Sequence, residues 1–86
     1  MHTVELLELA LAAAGGLGYR IREEWLGGSD GGSCEIRGQK WLFIDPALDA
    51  GERLDLVAEA LKQDPAAQNF PLHPELRNFL RLRKSA

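Results

Sequence analysis

Residues 33–45 read Ser-Cys-Glu-Ile-Arg-Gly-Gln-Lys-Trp-Leu-Phe-Ile-Asp. Two β-rich runs meet at Gly38-Gln39, and glycine at the first central position suits a type II′ hairpin turn. That turn sets Arg37 against Lys40, Ile36 against Trp41, Glu35 against Leu42, Cys34 against Phe43 and Ser33 against Ile44. Side chains alternate along a strand, so Cys34, Ile36, Trp41 and Phe43 share one side of the hairpin. Their apolar character predicts that this side is the core. Cys34 then reads as a buried structural thiol rather than a nucleophile.

Upstream, Tyr19, Ile21 and Trp25 alternate with Arg20, Arg22 and Glu24, the period of a half-buried strand over about residues 19–25. Glu23 interrupts the apolar side, through a strand end or a bulge. Leu26 to Gly32 is a glycine-rich connection. Three sequential strands with short links predict an antiparallel meander. Its outer face carries Arg20, Arg22, Glu24, Glu35, Arg37 and Lys40, together with Leu42 and Ile44. Those two apolar residues do not suit a wet face. The last helix covering them, a second copy docking there, or simple exposure would each account for them. Leu42, Ile44, Arg22 and Glu35 are therefore the candidate interface.

Residues 3–14 predict a helix capped by Thr3, with Glu5 in its first turn and Gly15-Gly16 at its end. Val4, Leu7, Leu11 and Ala14 form a stripe that Leu6, Leu9, Ala10 and Ala13 widen, which predicts burial on more than one side. After the hairpin, Asp49 with Glu52 three residues later has the geometry of a capping box. Leu54, Val57, Ala58 and Leu61 are the buried stripe of the helix that follows, and Asp64-Pro65 closes it by about Gln63. Residues 64–74 hold three of the four prolines and read as an irregular connection pinned by Phe70 and Leu72. His73-Pro74 opens a short basic helix with Leu76, Phe79 and Leu80 on its apolar edge. The expectation is one α+β domain over residues 1–86. It has a three-stranded antiparallel meander with helices on one face, in the order α-β-β-β-α-α. Residues 64–86 form its C-terminal extension.

The 86 residues are enough for one domain and too few for two. A net charge of −3 argues against a general binder of nucleic acid or membrane surfaces. The balance is uneven: residues 1–65 carry −6 and residues 66–86 carry +3. Cations at the end of the last helix complement its dipole. One cysteine makes no internal disulfide, and no apolar run approaches the ~20 residues a bilayer needs. The N-terminus lacks the basic start of a signal peptide, so the expected location is cytoplasmic.

No constellation of residues reaches a named reaction. His2 and His73 stand at opposite ends of the chain without a ligand pattern. Glu23 and Glu24 point to opposite sides of a strand. Asp45 and Asp49 flank Pro46 and read as turn and cap residues. The glycines around Ser29-Asp30 lack the Lys and Ser/Thr of a phosphate-binding loop, and a strand follows them rather than a helix. Neither a cofactor nor a metal is expected.

Leading helix, strand, glycine-rich loop, hairpin and then helix is an order similar to the opening half of zinc metallopeptidase domains of the ImmA/IrrE type. The resemblance covers about residues 3–63. In that family the helix after the hairpin carries H-E-x-x-H. Here the corresponding residues are Val57-Ala58-Glu59-Ala60-Leu61-Lys62. Glu59 matches the glutamate, while Ala58 and Lys62 stand at the ligand positions and cannot bind zinc. The resemblance implies a shared scaffold without the protease.

The functional expectation is a non-enzymatic module that works through protein contacts, as a homodimer or with another protein. The alternative is a small-ligand binder or weak enzyme using the loop 26–32, with Ser29 and Asp30 as contacts.

Overall fold

The computed structural model of the protein describes residues 2–24 and 31–82. Along the chain run α1 (Thr3–Gly16), β1 (Arg20–Glu23), β2 (Gly31–Ile36) and β3 (Gln39–Ile44). These are followed by α2 (Ala50–Gln63), a 3-10 helix (Pro65–Asn69) and α3 (Pro74–Leu82). The class is α+β. The succession of helices and strands is as expected, with the 3-10 helix inside the connection that read as irregular.

The sheet is mixed, not an antiparallel meander. Its strand order is β1-β3-β2, with β2 and β3 antiparallel and β1 parallel to β3. Strand composition explains the order. Trp41 to Ile44 is an unbroken apolar run, the mark of a strand flanked on both sides. β1 reads Arg-Ile-Arg-Glu, and charged side chains suit an edge. A meander would have left the most apolar strand at the rim.

The hairpin turns at Arg37-Gly38 rather than Gly38-Gln39. Both residues have positive φ, 51° and 79°, the combination of a type I′ turn. Gly38 takes the second central position, and Arg37 adopts the left-handed conformation. The pairs become Ile36–Gln39, Glu35–Lys40, Cys34–Trp41, Ser33–Leu42 and Gly32–Phe43. Partners move by two residues, so the grouping by face survives. Cys34, Ile36, Trp41 and Phe43 still share a side.

The covered side is the other one. Leu42 and Ile44 are 0% and 2% exposed and sit in the core with Leu54, Val57 and Leu61 of α2 and Ala10 and Ala14 of α1. Ile36 is 49% exposed, Cys34 is exposed, and Trp41 and Phe43 are half-buried outside that core. This corrects the assignment of Leu42 and Ile44 to an outer interface and of Cys34 to the interior. The alanines of α1 present a shallow surface that can come close to a strand. Branched aliphatics fill such a gap, whereas planar indole and phenyl rings would hold the layers apart.

Asp49 caps α2 as expected: its Oδ1 accepts from the Glu52 N–H at 2.8 Å, and Glu52 Oε1 accepts from the Asp49 N–H at 3.0 Å. The helix ends at Gln63. The residue before α1 is His2 rather than Thr3, and its N–H donates to the Glu5 carboxylate at 3.0 Å. α1 touches α2, α3 and β1, which accounts for its broad apolar stripe. At its end, a Cβ on Gly16 would lie 2.5 Å from Cζ of Phe70, so the missing side chain lets that ring close over the helix. His73 Nδ1 accepts from the Glu75 N–H at the start of α3. Leu76 is buried, and Phe70, Leu72, Phe79 and Leu80 pack against the same core. Among the described residues, no helix is long and apolar enough to cross a membrane.

Candidate functional site

β3 places Trp41 and Phe43 two residues apart, hence side by side on the sheet face opposite the core. Their rings stack with centroids 5.9 Å apart and planes 13° from parallel. Parallel pairing sets Arg20 beside Trp41 and Arg22 beside Phe43. The Arg20 guanidinium lies 5.8 Å from the Trp41 ring centroid, within cation–π range. Arg22 is paired with Glu24 at 2.6 Å. Cys34 stands across from Trp41 on β2, with Ile36 beyond it at the turn. The result is an aromatic and aliphatic strip with arginines along one margin.

A second surface lies between α2 and the rim of the sheet. There a groove of about 560 Å³ is lined by Gly31, Gly32 and Ser33 of β2 and by Leu48, Glu52, Asp55, Leu56, Glu59, Ala60 and Gln63. Leu48, Leu56 and Ala60 give it apolar surface, and Glu52, Asp55 and Glu59 give it carboxylates. Glu59 accepts from the Gln63 amide at 2.9 Å.

The strongest polar cluster is structural. Asp64, just past α2, has one carboxylate oxygen that accepts from the Tyr19 hydroxyl at 2.8 Å and from Lys40 Nζ at 2.9 Å. Its other oxygen accepts from the Ala66 N–H and so starts the 3-10 helix. The Lys40 ammonium also sits 4.7 Å from the Tyr19 ring centroid. This cluster ties β1, β3 and the end of α2 together. The Lys40 hydrogen bond holds the Asp64 carboxyl below the usual carboxylate range, with the Tyr19 hydroxyl and Ala66 N–H acting in the same direction. Burial, followed by the bond to Asp64, pushes the Tyr19 hydroxyl up to about 12.

A raised phenol pKa contributes stability that is complete below the unfolded value near 10 and is lost as pH rises toward the folded value. The domain is therefore expected to weaken between about pH 10 and 12, by on the order of 2 kcal/mol. Urea unfolding across that range checks this, together with phenolate absorbance of the folded protein. Ionisation of the single tyrosine near pH 10, without loss of stability, would contradict it.

The four residues assigned to an interface from sequence do not form one surface. Leu42 and Ile44 are interior, Glu35 lies on their side of the sheet beside Lys40, and Arg22 is on the open face. Ser29 and Asp30, the contacts of the ligand-binding alternative, lie outside the described residues, as does Trp25. From the same loop, Gly31 and Gly32 belong to β2 and line the groove. At the positions of the metallopeptidase motif, Ala58 is buried, Lys62 is half-buried and Glu59 is exposed on the groove wall. Asp45 and Asp49 serve as turn and cap: Asp45 Oδ1 accepts from the Ala47 N–H at 2.9 Å. Among the described residues, no three His, Cys, Asp or Glu side chains come together as metal ligands do.

The meander expected from sequence places β1 beside β2, so it does not show the pairing of arginine with aromatic residue. The apolar run of β3 carried the needed signal, since a central strand would have brought β1 to it. No family profile, curated protein or solved structure matches the chain.

Proposed function

We propose that this chain is a non-enzymatic, cytoplasmic protein-interaction module whose contact surface is the open sheet face, with a second copy as its partner. The observation behind this reading is that Trp41, Phe43 and Ile36 lie together outside the core, while the helices pack against the other side. Two such faces stacked about 10 Å apart would bury the aromatic rings against each other, as sheets do in a sandwich. The adjacent Arg22 and Glu24 supply both charges to either copy.

The size of the face sets the strength. Three strands about 4.8 Å apart and about 20 Å long present roughly 300 Å². A stable interface takes about 800 Å² from each partner. Association is therefore weak and reversible, with Kd in the range of about 10 μM to 1 mM.

Sedimentation across that range is expected to show a monomer–dimer equilibrium. Ile36→Asp should abolish it while shifting the melting temperature by no more than a few degrees, since that side chain is half exposed already. A wild-type protein that stays monomeric at about 1 mM, or a dimer indifferent to Ile36→Asp, would refute the reading.

A further inference from the structure

The two edges of the sheet are not alike. β1 has three charged residues in four, the usual guard against further strand pairing. β2 reads Gly-Gly-Ser-Cys-Glu-Ile, with one. Among the described residues β2 has β3 on one side and no strand on the other. A two-residue hairpin closes on a pair that exchanges both backbone bonds, here Ile36 with Gln39. Alternation from that pair directs the N–H and C=O groups of Ser33 and Glu35 away from β3. Beside this edge runs the groove against α2. Leu56 and Ala60 supply apolar surface, Glu52 and Glu59 supply negative charge, and among the described residues no cationic side chain lines it.

From these observations we propose that the groove binds an extended basic peptide segment, which adds to β2 as a fourth strand. Main-chain bonds to Ser33 and Glu35 would hold its backbone, and every second side chain would turn toward α2. Lysine or arginine at those positions meets Glu52 and Glu59. The same charges disfavour a second copy at this edge, because two-fold pairing of β2 with itself would bring like carboxylates together. The site is separate from the open sheet face, so either reading can fail alone.

The probe is a fluorescein-labelled octapeptide, (Lys-Val)4, titrated with the full chain and followed by anisotropy. Saturable binding is expected that weakens several-fold between about 50 and 150 mM salt, with no binding of (Glu-Val)4. N-methylation of one alternate set of peptide residues should cost at least about tenfold in affinity, and methylation of the other set should cost little, because only one set faces β2. The Glu52→Gln/Glu59→Gln variant, which keeps an acceptor for the α2 cap, should bind about tenfold more weakly at an unchanged melting temperature. Amide shifts on binding should concentrate at residues 31–35 and 56–63.

Absence of binding at low salt would overturn the proposal. So would equal effects of the two methylation patterns, the signature of charge attraction without strand pairing. Shifts centred on Trp41 and Phe43 would also overturn it, because they would place the peptide on the open face.

Discussion

Leu42→Asp is expected to leave the domain unfolded at 25 °C, whereas Ile36→Asp, on the same hairpin, is expected to shift the melting temperature by no more than a few degrees. Leu42 has no exposed surface and sits in the core with side chains of α1 and α2. Truncating a buried leucine costs about 3–5 kcal/mol. An uncompensated carboxylate in that place adds several more. A domain of 86 residues has a total stability of about 4–13 kcal/mol, so the sum is comparable to the whole of it. Ile36 is 49% exposed on the opposite face, and an aspartate there remains in water. Far-UV circular dichroism and thermal melts of the two variants check the contrast. A folded Leu42→Asp protein beside a collapsed Ile36→Asp protein would mean that the helices cover the aromatic side after all.

Asp64→Ala is expected to cost about 2–4 kcal/mol at neutral pH, a fall in melting temperature of roughly 10–25 °C. The carboxylate is the shared acceptor for Tyr19 and Lys40 and also caps the 3-10 helix. Removing it leaves the hydroxyl of buried Tyr19 and the ammonium of half-buried Lys40 without this acceptor. Lys40→Met should cost less, since the Tyr19 and Ala66 donors still reach Asp64. The pH dependence has a definite sign. A folded carboxyl pKa held below its unfolded value contributes stability that is complete above about pH 4 and is lost as pH falls through the folded value. Wild type should therefore lose stability in acid through this group, and Asp64→Ala should lose less over the same interval. Urea unfolding at pH 7 and pH 3 measures both. Equal acid sensitivity of the two proteins would count against the cluster as drawn.

Much of the local structure is legible in particular residues. Asp49 with Glu52 marks the start of α2, and Asp64-Pro65 marks its end, because a side-chain acceptor and a proline act within a few residues of themselves. His73-Pro74 marks α3 for the same reason. The grouping of Cys34, Ile36, Trp41 and Phe43 on one side is legible too, even though the turn lies one residue earlier than expected. Period-two alternation does not depend on where the loop closes.

The candidate surfaces were less legible. In the sequence the open face reads as the core because aromatic rings weigh most in any count of apolar area, and area alone does not say which side receives the helices. The groove was invisible in the sequence because its two walls, β2 and α2, are separated along the chain by β3.

The ends of α2, the start of α3 and the alternation that groups Cys34, Ile36, Trp41 and Phe43 on one side of the hairpin were thus determined by the sequence alone, since each rests on contacts between near neighbours. Tertiary structure alone decided two things: that Leu42 and Ile44 rather than Trp41 and Phe43 meet the helices, and that Tyr19, Lys40 and Asp64 converge. These outcomes depend on how closely the alanine-rich surface of α1 and the aliphatic stripe of α2 can approach the sheet. That fit involves the volumes of residues far apart in the chain, and no local pattern encodes it.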